Sequence, residues 1–183
     1  MRQHVIFETE RLLMRQWCDE DLAPFIAMNE NPIVRKYFPN IASVQESTSE
    51  YQRAKVHIEE FEFGAWALEL KSGGQFIGFC GFKHPSRTFG IAPGVELLWR
   101  LSDQYWNKGY ATEAANFSLQ LAFDKFEFDE AHALTTLNNQ GSRRVMEKIK
   151  MVFDKEFMHP LIEVDNPLKK QVLYIIKKNF VTS

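Results

Sequence analysis

Only two cysteines occur in this 183-residue chain, Cys18 in a polar segment and Cys80 inside an apolar run, far apart and without a C-x-x-C partner. That pattern excludes a disulfide framework and a zinc-thiolate cluster, and it suits a reducing compartment, so a cytoplasmic protein is expected. The five histidines, at positions 4, 57, 84, 132 and 159, show no metal-ligand spacing, and no metal site is expected. Charge of one sign is scarce as well: 22 Lys and Arg stand against 24 Asp and Glu, for a formal net charge of -2. With no strong field to draw it to nucleic acid or to an anionic membrane, neither partner is expected. Nowhere do about 18 apolar residues run together, and the opening Met1-Arg2-Gln3-His4-Val5-Ile6-Phe7 is too short for a signal peptide, so a soluble chain that is not exported is expected. Glycine and proline number 9 and 7 and form no linker, and no repeat or low-complexity tract divides the sequence. One domain spanning residues 1–183 is the resulting expectation, long enough to bury a core without covalent or metal staples.

Aromatic residues, by contrast, are plentiful. Sixteen phenylalanines point to a tightly filled core, with an apolar channel or a dimer surface as further uses, so monomer and homodimer both stay open. Leu12 to Trp17 reads as a first strand. The acidic Asp19-Glu20-Asp21 suits the start of a helix through Phe25, Ile26 and Met28 that Asn31-Pro32 should end. Ser43-Val44-Gln45-Glu46 is a capping-box pattern opening a helix towards Phe61. Ala65 to Leu70 and Gln75 to Lys83, joined by Lys71-Ser72-Gly73-Gly74, form a hairpin. Pro93-Gly94 introduces Val95 to Leu101, apolar enough for a strand near the middle of a sheet, with Glu96 inside it. Ala114, Phe117, Ser118, Leu121 and Ala122 recur at helical spacing over Thr112 to Lys125. Ala131 to Leu137 is a strand, and the next helix puts Ser142, Val145, Met146 and Ile149 on one face. Two closing strands follow, Met151 to His159 and Gln171 to Lys178, and the whole reads as a mixed α/β (α+β) sandwich.

The segment richest in chemical information is Trp106-Asn107-Lys108-Gly109-Tyr110-Ala111-Thr112-Glu113-Ala114. It places glycine and small residues between a buried strand and the first turn of a helix, where free amides and the helix dipole together can hold an anion such as pyrophosphate. Gly109 and Ala111 would let phosphate oxygens come close to the main chain. A Walker loop is excluded because no Gly-Lys-Ser/Thr follows a glycine-rich stretch, and the G-x-G-x-x-G dinucleotide pattern is missing.

This segment resembles the Q/R-x-x-G-x-G/A pyrophosphate loop of GNAT acetyltransferases, in the W-x-K-G-Y-A-T-E-A form of the RimJ/RimL branch, which acetylates the N-termini of ribosomal proteins. Val95-Glu96-Leu97-Leu98-Trp99 is similar to that family's central strand, and Asn139 to Lys148 to its second cofactor motif. The similarity runs from Phe7-Glu8-Thr9-Glu10-Arg11-Leu12 to the closing strand. The resemblance implies a GNAT fold: a mostly antiparallel sheet of about seven strands, flanked by helices, whose central strands splay apart. It also implies acetyl-coenzyme A as cosubstrate. The pantetheine arm would pair with backbone at Trp99, Arg100 and Leu101. The pyrophosphate would rest on the amides of Asn107, Lys108, Gly109, Tyr110, Ala111 and Thr112, with Trp106 at the loop entry. Asn139 and Ser142 correspond to residues near the pantetheine and the thioester sulfur, and Tyr37, Phe38 and Trp66 to residues lining the acceptor pocket.

Acyl transfer to an amine makes its own demands: the amine must lose a proton, the carbonyl oxygen must be stabilised as charge builds up, and a thiolate must leave. Glu96 is the candidate base, since burial in an apolar strand should raise its pKa; the other reading is a structural carboxylate paired with a neighbouring Arg or Lys. Ser142 is a candidate proton donor to the thiolate and equally a residue that caps a helix. Two positions depart from the family pattern: Met146 stands where many members carry a tyrosine general acid, and Lys150 where glycine is usual. The acceptor, a protein N-terminal α-amine or a small-molecule amine, should be chosen by the N-terminal helices and by the loop near His84-Pro85-Ser86-Arg87. A coenzyme A-binding sensor without turnover is the alternative from another functional class.

Overall fold

The computed structural model describes residues 5–86 and 94–178. His4, Arg87 and Pro93 lie outside them. In chain order the elements are β1 (Val5–Glu8), β2 (Leu12–Arg15), α1 (Leu22–Glu30), α2 (Val44–Phe61), β3 (Ala65–Leu70), β4 (Phe76–Lys83), β5 (Val95–Leu101), α3 (Tyr110–Asp124), β6 (Glu130–Thr136), α4 (Gln140–Lys148), β7 (Val152–Met158) and β8 (Lys170–Lys177). Eight strands form a sheet in the order β1-β2-β3-β4-β5-β6-β8-β7. Every neighbouring pair is antiparallel except β5 and β6, which run parallel and are joined by the crossover through α3. The expected GNAT architecture is present, with β1 as one strand more than the sequence patterns indicate.

Local chemistry explains most element boundaries. Ser43 Oγ accepts from the Glu46 amide at 3.2 Å while a Glu46 carboxylate oxygen accepts from the Ser43 amide at 2.7 Å, closing the capping box of α2. Asn31, held extended before Pro32, ends α1. The first strand is shorter than expected because Trp17 leaves the sheet: its indole donates to the Ala65 carbonyl at 2.7 Å and its ring packs edge-on to Phe25 and Tyr51. Lys150, where the family carries glycine, takes a left-handed φ of 68°. The adjoining Met151 amide donates to the Met146 carbonyl at 3.0 Å, so the helix-ending turn forms with lysine in it.

Phenylalanine fills the interior. Phe63 stacks on Phe82 at 5.0 Å and meets Phe126 and Phe128 edge-on, and His84 packs into the same group. Successive strand residues point to opposite faces. On β4, Cys80 Sγ lies 3.6 Å from Ser118 Oγ of α3, whereas Phe79 packs against Phe25 of α1, so α1 and α3 cover opposite faces. The last strand in sequence, β8, lies between β6 and β7, and the sheet edges are β1 and β7. No helix among the described residues is long and apolar enough to cross a membrane.

Candidate active site

β5 and β6 pair only at Val95–Ala131 and Glu96–His132, and beyond Glu96 the two strands part. The gap opens into a cleft of about 700 Å³ bounded by β5, the loop before α3, the start of α4 and the Val34–Pro39 segment. A strand whose neighbour has moved away offers backbone groups that water or a ligand must satisfy.

At one end of the cleft the chain turns from β5 into α3. Trp106 donates its indole N–H to the Leu101 carbonyl at 2.8 Å and so braces the turn against the strand end. Leu101, expected to offer its backbone to a ligand, therefore has its carbonyl occupied by Trp106. Asn107 and Gly109 take left-handed φ values of 59° and 84°, which tips the amides of residues 107–112 away from ordinary partners. Among the described residues no backbone carbonyl accepts from them. Gly109 is the residue immediately before α3, so these donors sit at the positive end of the helix dipole.

Glu96 lies where the strands part. Its side chain is 10% exposed, Oε1 is 3.5 Å from Lys83 Nζ, and buried Oε2 has no hydrogen-bond partner. The cationic neighbour weighed from the sequence is thus present, and the same residue lines the cleft. Opposite, Asn139 Oδ1 accepts from the Ser142 amide at 3.2 Å, while its Nδ2 donates to Thr135 Oγ1 at 2.9 Å and Ser142 Oγ at 3.2 Å. Asn139 thus caps α4, and the Ser142 hydroxyl, already accepting a bond, keeps its own proton to donate. Met146, 1% exposed, lines the cleft one turn further on and has no proton to give.

Trp99, Arg100, Leu101, Trp106, Asn107, Gly109, Tyr110, Ala111 and Thr112 all line the same cleft, and so do Tyr37 and Phe38. Arg100 donates to Asn29 Oδ1 at 2.8 Å and to Glu50 at 3.0 Å, and its guanidinium lies 4.5 Å over the Phe38 ring. One expectation needs correction. Trp66 does not reach the cleft: fully buried, it packs edge-on between Phe7 and Phe82 on the face covered by α3. Lys108, expected to offer its amide, accepts at its carbonyl from Arg11 Nη1 at 2.9 Å. His84, at the start of the loop expected to help choose the acceptor, packs on Phe61, Phe63 and Phe128.

Sequence reasoning missed a group behind the loop. Glu113, in the first turn of α3, accepts from Thr9 Oγ1 at 2.5 Å, from the Arg11 amide at 2.8 Å and from Arg11 Nε at 2.7 Å. Burial alone would raise the pKa of this carboxylate, but the bonds from Thr9 and Arg11 outweigh it and hold the value below the usual one. The available signal was a carboxylate beside an anion site, which requires a cation to balance it.

A family model described as an acetyltransferase (GNAT) domain matches residues 11–152. The chain belongs to the GNAT acetyltransferase family. Among its relatives is the uncharacterised N-acetyltransferase YoaA of Bacillus subtilis, 26% identical over 153 residues that cover 82% of this chain and 84% of YoaA. The GNAT-family acetyltransferase from Bacillus anthracis superposes with a TM-score of 0.79 at 24% identity, over 94% of this chain and 98% of that one. A spermidine N-acetyltransferase from Vibrio cholerae, in complex with CoA and spermine, superposes at 0.73 with 16% identity over 94% of this chain and 98% of its own. This GNAT chain is an acetyl-CoA-dependent acetyltransferase.

Proposed function

We propose that the enzyme transfers acetyl from acetyl-CoA to a primary amine by direct attack of the amine on the thioester. The observation that carries this reading is the buried Glu96 carboxylate, with one oxygen unpartnered, at the point where β5 and β6 separate. The cleft suits the cosubstrate in two further respects. The β6-facing backbone beyond Glu96 has no strand partner, so Trp99 and Arg100 would pair with the pantetheine arm. The free amides of residues 107–112 would take the pyrophosphate. Acetyl-CoA supplies the activated acyl carbon, and a CoA complex of the superposable Vibrio cholerae enzyme supports the same cosubstrate.

In this scheme the acceptor amine approaches past Tyr37 and Phe38 and loses its proton to Glu96, directly or through a water. Backbone amides of the open edge of β5 stabilise the charge that grows on the carbonyl oxygen. As the C–N bond forms and the C–S bond breaks, Ser142 donates a proton to the departing sulfur. A thiol with a pKa of about 8.5 also leaves readily as thiolate, so Met146 in place of a tyrosine does not block turnover. The W-x-K-G-Y-A-T-E-A segment favours the RimJ/RimL branch, with a protein N-terminal α-amine as acceptor. Small-molecule amines are the second acceptor class, in line with the spermine bound to the Vibrio cholerae protein. Cytoplasmic residence belongs to the same proposal, since Cys18 and Cys80 are both thiols.

The test is thiol release from acetyl-CoA with a panel of peptides and small amines, for the wild-type chain and Glu96→Gln. The expected result is turnover with at least one acceptor and a fall of at least about tenfold in the variant, roughly 1.4 kcal/mol of barrier, with CoA affinity retained. Tight CoA binding without thiol release for any acceptor would replace this reading with that of a CoA-binding sensor.

A further inference from the structure

Glu113 presents a problem that the fold has solved. It sits in the first turn of α3, where a negative charge would oppose an anion held on the same amides. Three donors from the β1–β2 turn capture it: the Thr9 hydroxyl, the Arg11 amide and Arg11 Nε. The other arm of the guanidinium, Nη1, reaches the Lys108 carbonyl at 2.9 Å. Arg11 also lies 4.5 Å over the Tyr110 ring, and its Nη2 would be 3.2 Å from a Cβ at position 109. One planar cation therefore touches residues 108, 110 and 113 together and leaves little room for a side chain at 109. The loop it spans holds a non-glycine residue, Asn107, at a φ of 59°, a conformation that persists where surrounding contacts enforce it. None of Thr9, Arg11 and Glu113 lines the cleft.

We infer that Thr9, Arg11 and Glu113 form a clamp that holds the Asn107–Thr112 loop in its cofactor-binding shape from behind. The inference rests on the reading that this loop takes the pyrophosphate of acetyl-CoA. The three are positioning residues: the bidentate guanidinium fixes the angle between loop and helix, and the capture of Glu113 by Arg11 keeps an uncompensated carboxylate away from the phosphates.

The experiment measures CoA affinity by calorimetry, KM for acetyl-CoA, kcat at saturation and melting temperature for Glu113→Gln, Thr9→Val, Thr9→Ser and Arg11→Lys. Expected for the Gln, Val and Lys variants is a rise in KM and Kd of roughly tenfold, the scale of one lost charge-assisted hydrogen bond, with kcat little changed. Thr9→Ser, which keeps the hydroxyl, should restore wild-type affinity. Variants that melt lower yet bind CoA as the wild type does would overturn the clamp and leave a merely structural tie. Tighter CoA binding by Glu113→Gln would also overturn it, since that result means a released Arg11 contacts phosphate directly. A wild-type chain that binds no CoA would sink the cofactor reading and the clamp with it, whereas loss confined to the variants leaves the proposed reaction standing.

Discussion

Along its β4 side, β5 is paired from Glu96 to Leu101, six register pairs in succession; along its β6 side only Val95 and Glu96 find partners. The two edges belong to one seven-residue strand, so the difference comes from what lies across from each. On the β4 side, Gly78 allows the backbones to come so close that a Cβ there would stand 2.2 Å from the Arg100 carbonyl oxygen, and Phe79 and Phe82 fill the layers above and below. On the β6 side, the chain leaves Leu101 for a loop braced by Trp106, and β6 pairs with nothing on β5 beyond Glu96. An unpaired edge is costly wherever it is dry, so it persists only where water or a ligand fills it and where the rest of the sheet is too rigid to collapse onto it. The closed half supplies that rigidity and the open half holds the site.

The comparison breaks most severely at the closed half's buried charge cluster. Arg15 on β2 donates to both oxygens of Asp21 at 2.7 and 2.8 Å and to Glu69 on β3 at 2.7 Å, with Arg15 and Asp21 side chains only 3% and 2% exposed. Burial works against this guanidinium, but the bonds to Asp21 and Glu69 outweigh it and hold its pKa above the ordinary arginine value. Asp21→Ala should cost about 3–5 kcal/mol, the usual penalty for stranding one member of a buried ion pair. Urea unfolding measures it, and a variant within experimental error of wild type would mean that Glu69 alone suffices. A smaller loss, about 1–3 kcal/mol, is expected from Gly78→Ala, because the added methyl must push β4 and β5 apart. Unchanged stability would show that this edge can open as the other does.

What could be read from the sequence divides along the same line. The phosphate loop was legible because its parts are contiguous: strand end, small residues and helix start within a few positions. Glu96 was legible as a lone carboxylate in an apolar strand, though Lys83 as its neighbour needed the β4–β5 register. Trp66 was misplaced for want of register too. It pairs with Cys80, which faces α3, whereas the cleft is on the Phe79, Glu96 and Arg100 side of the sheet. Strand alternation tells which residues share a face and is silent on what covers it. β1, four residues long, is too short to declare itself by pattern. The clamp was invisible for another reason: Arg11 and Glu113 are 102 residues apart, and nothing local to either announces the other.

The open half can be probed most gently through pH. Glu113 has a folded-state pKa held below its ordinary 4.5, so its bonds stabilise the native chain fully above that value. The contribution fades as pH falls below 4.5 through the depressed folded-state pKa, because the protonated carboxyl no longer attracts Arg11. Asp19 and Glu46 are depressed as well and add to acid unfolding, so the whole-protein profile does not isolate the clamp. Glu113→Gln removes this one titration and leaves the others, so the informative quantity is the difference in melting temperature between the wild-type and variant chains. It should stay constant from neutral pH down to about 5 and then shrink, as loss of a depressed carboxylate's stabilisation requires. A difference that grows towards acid would reverse the sign and show that Glu113 is strained by its site, not held by Thr9 and Arg11.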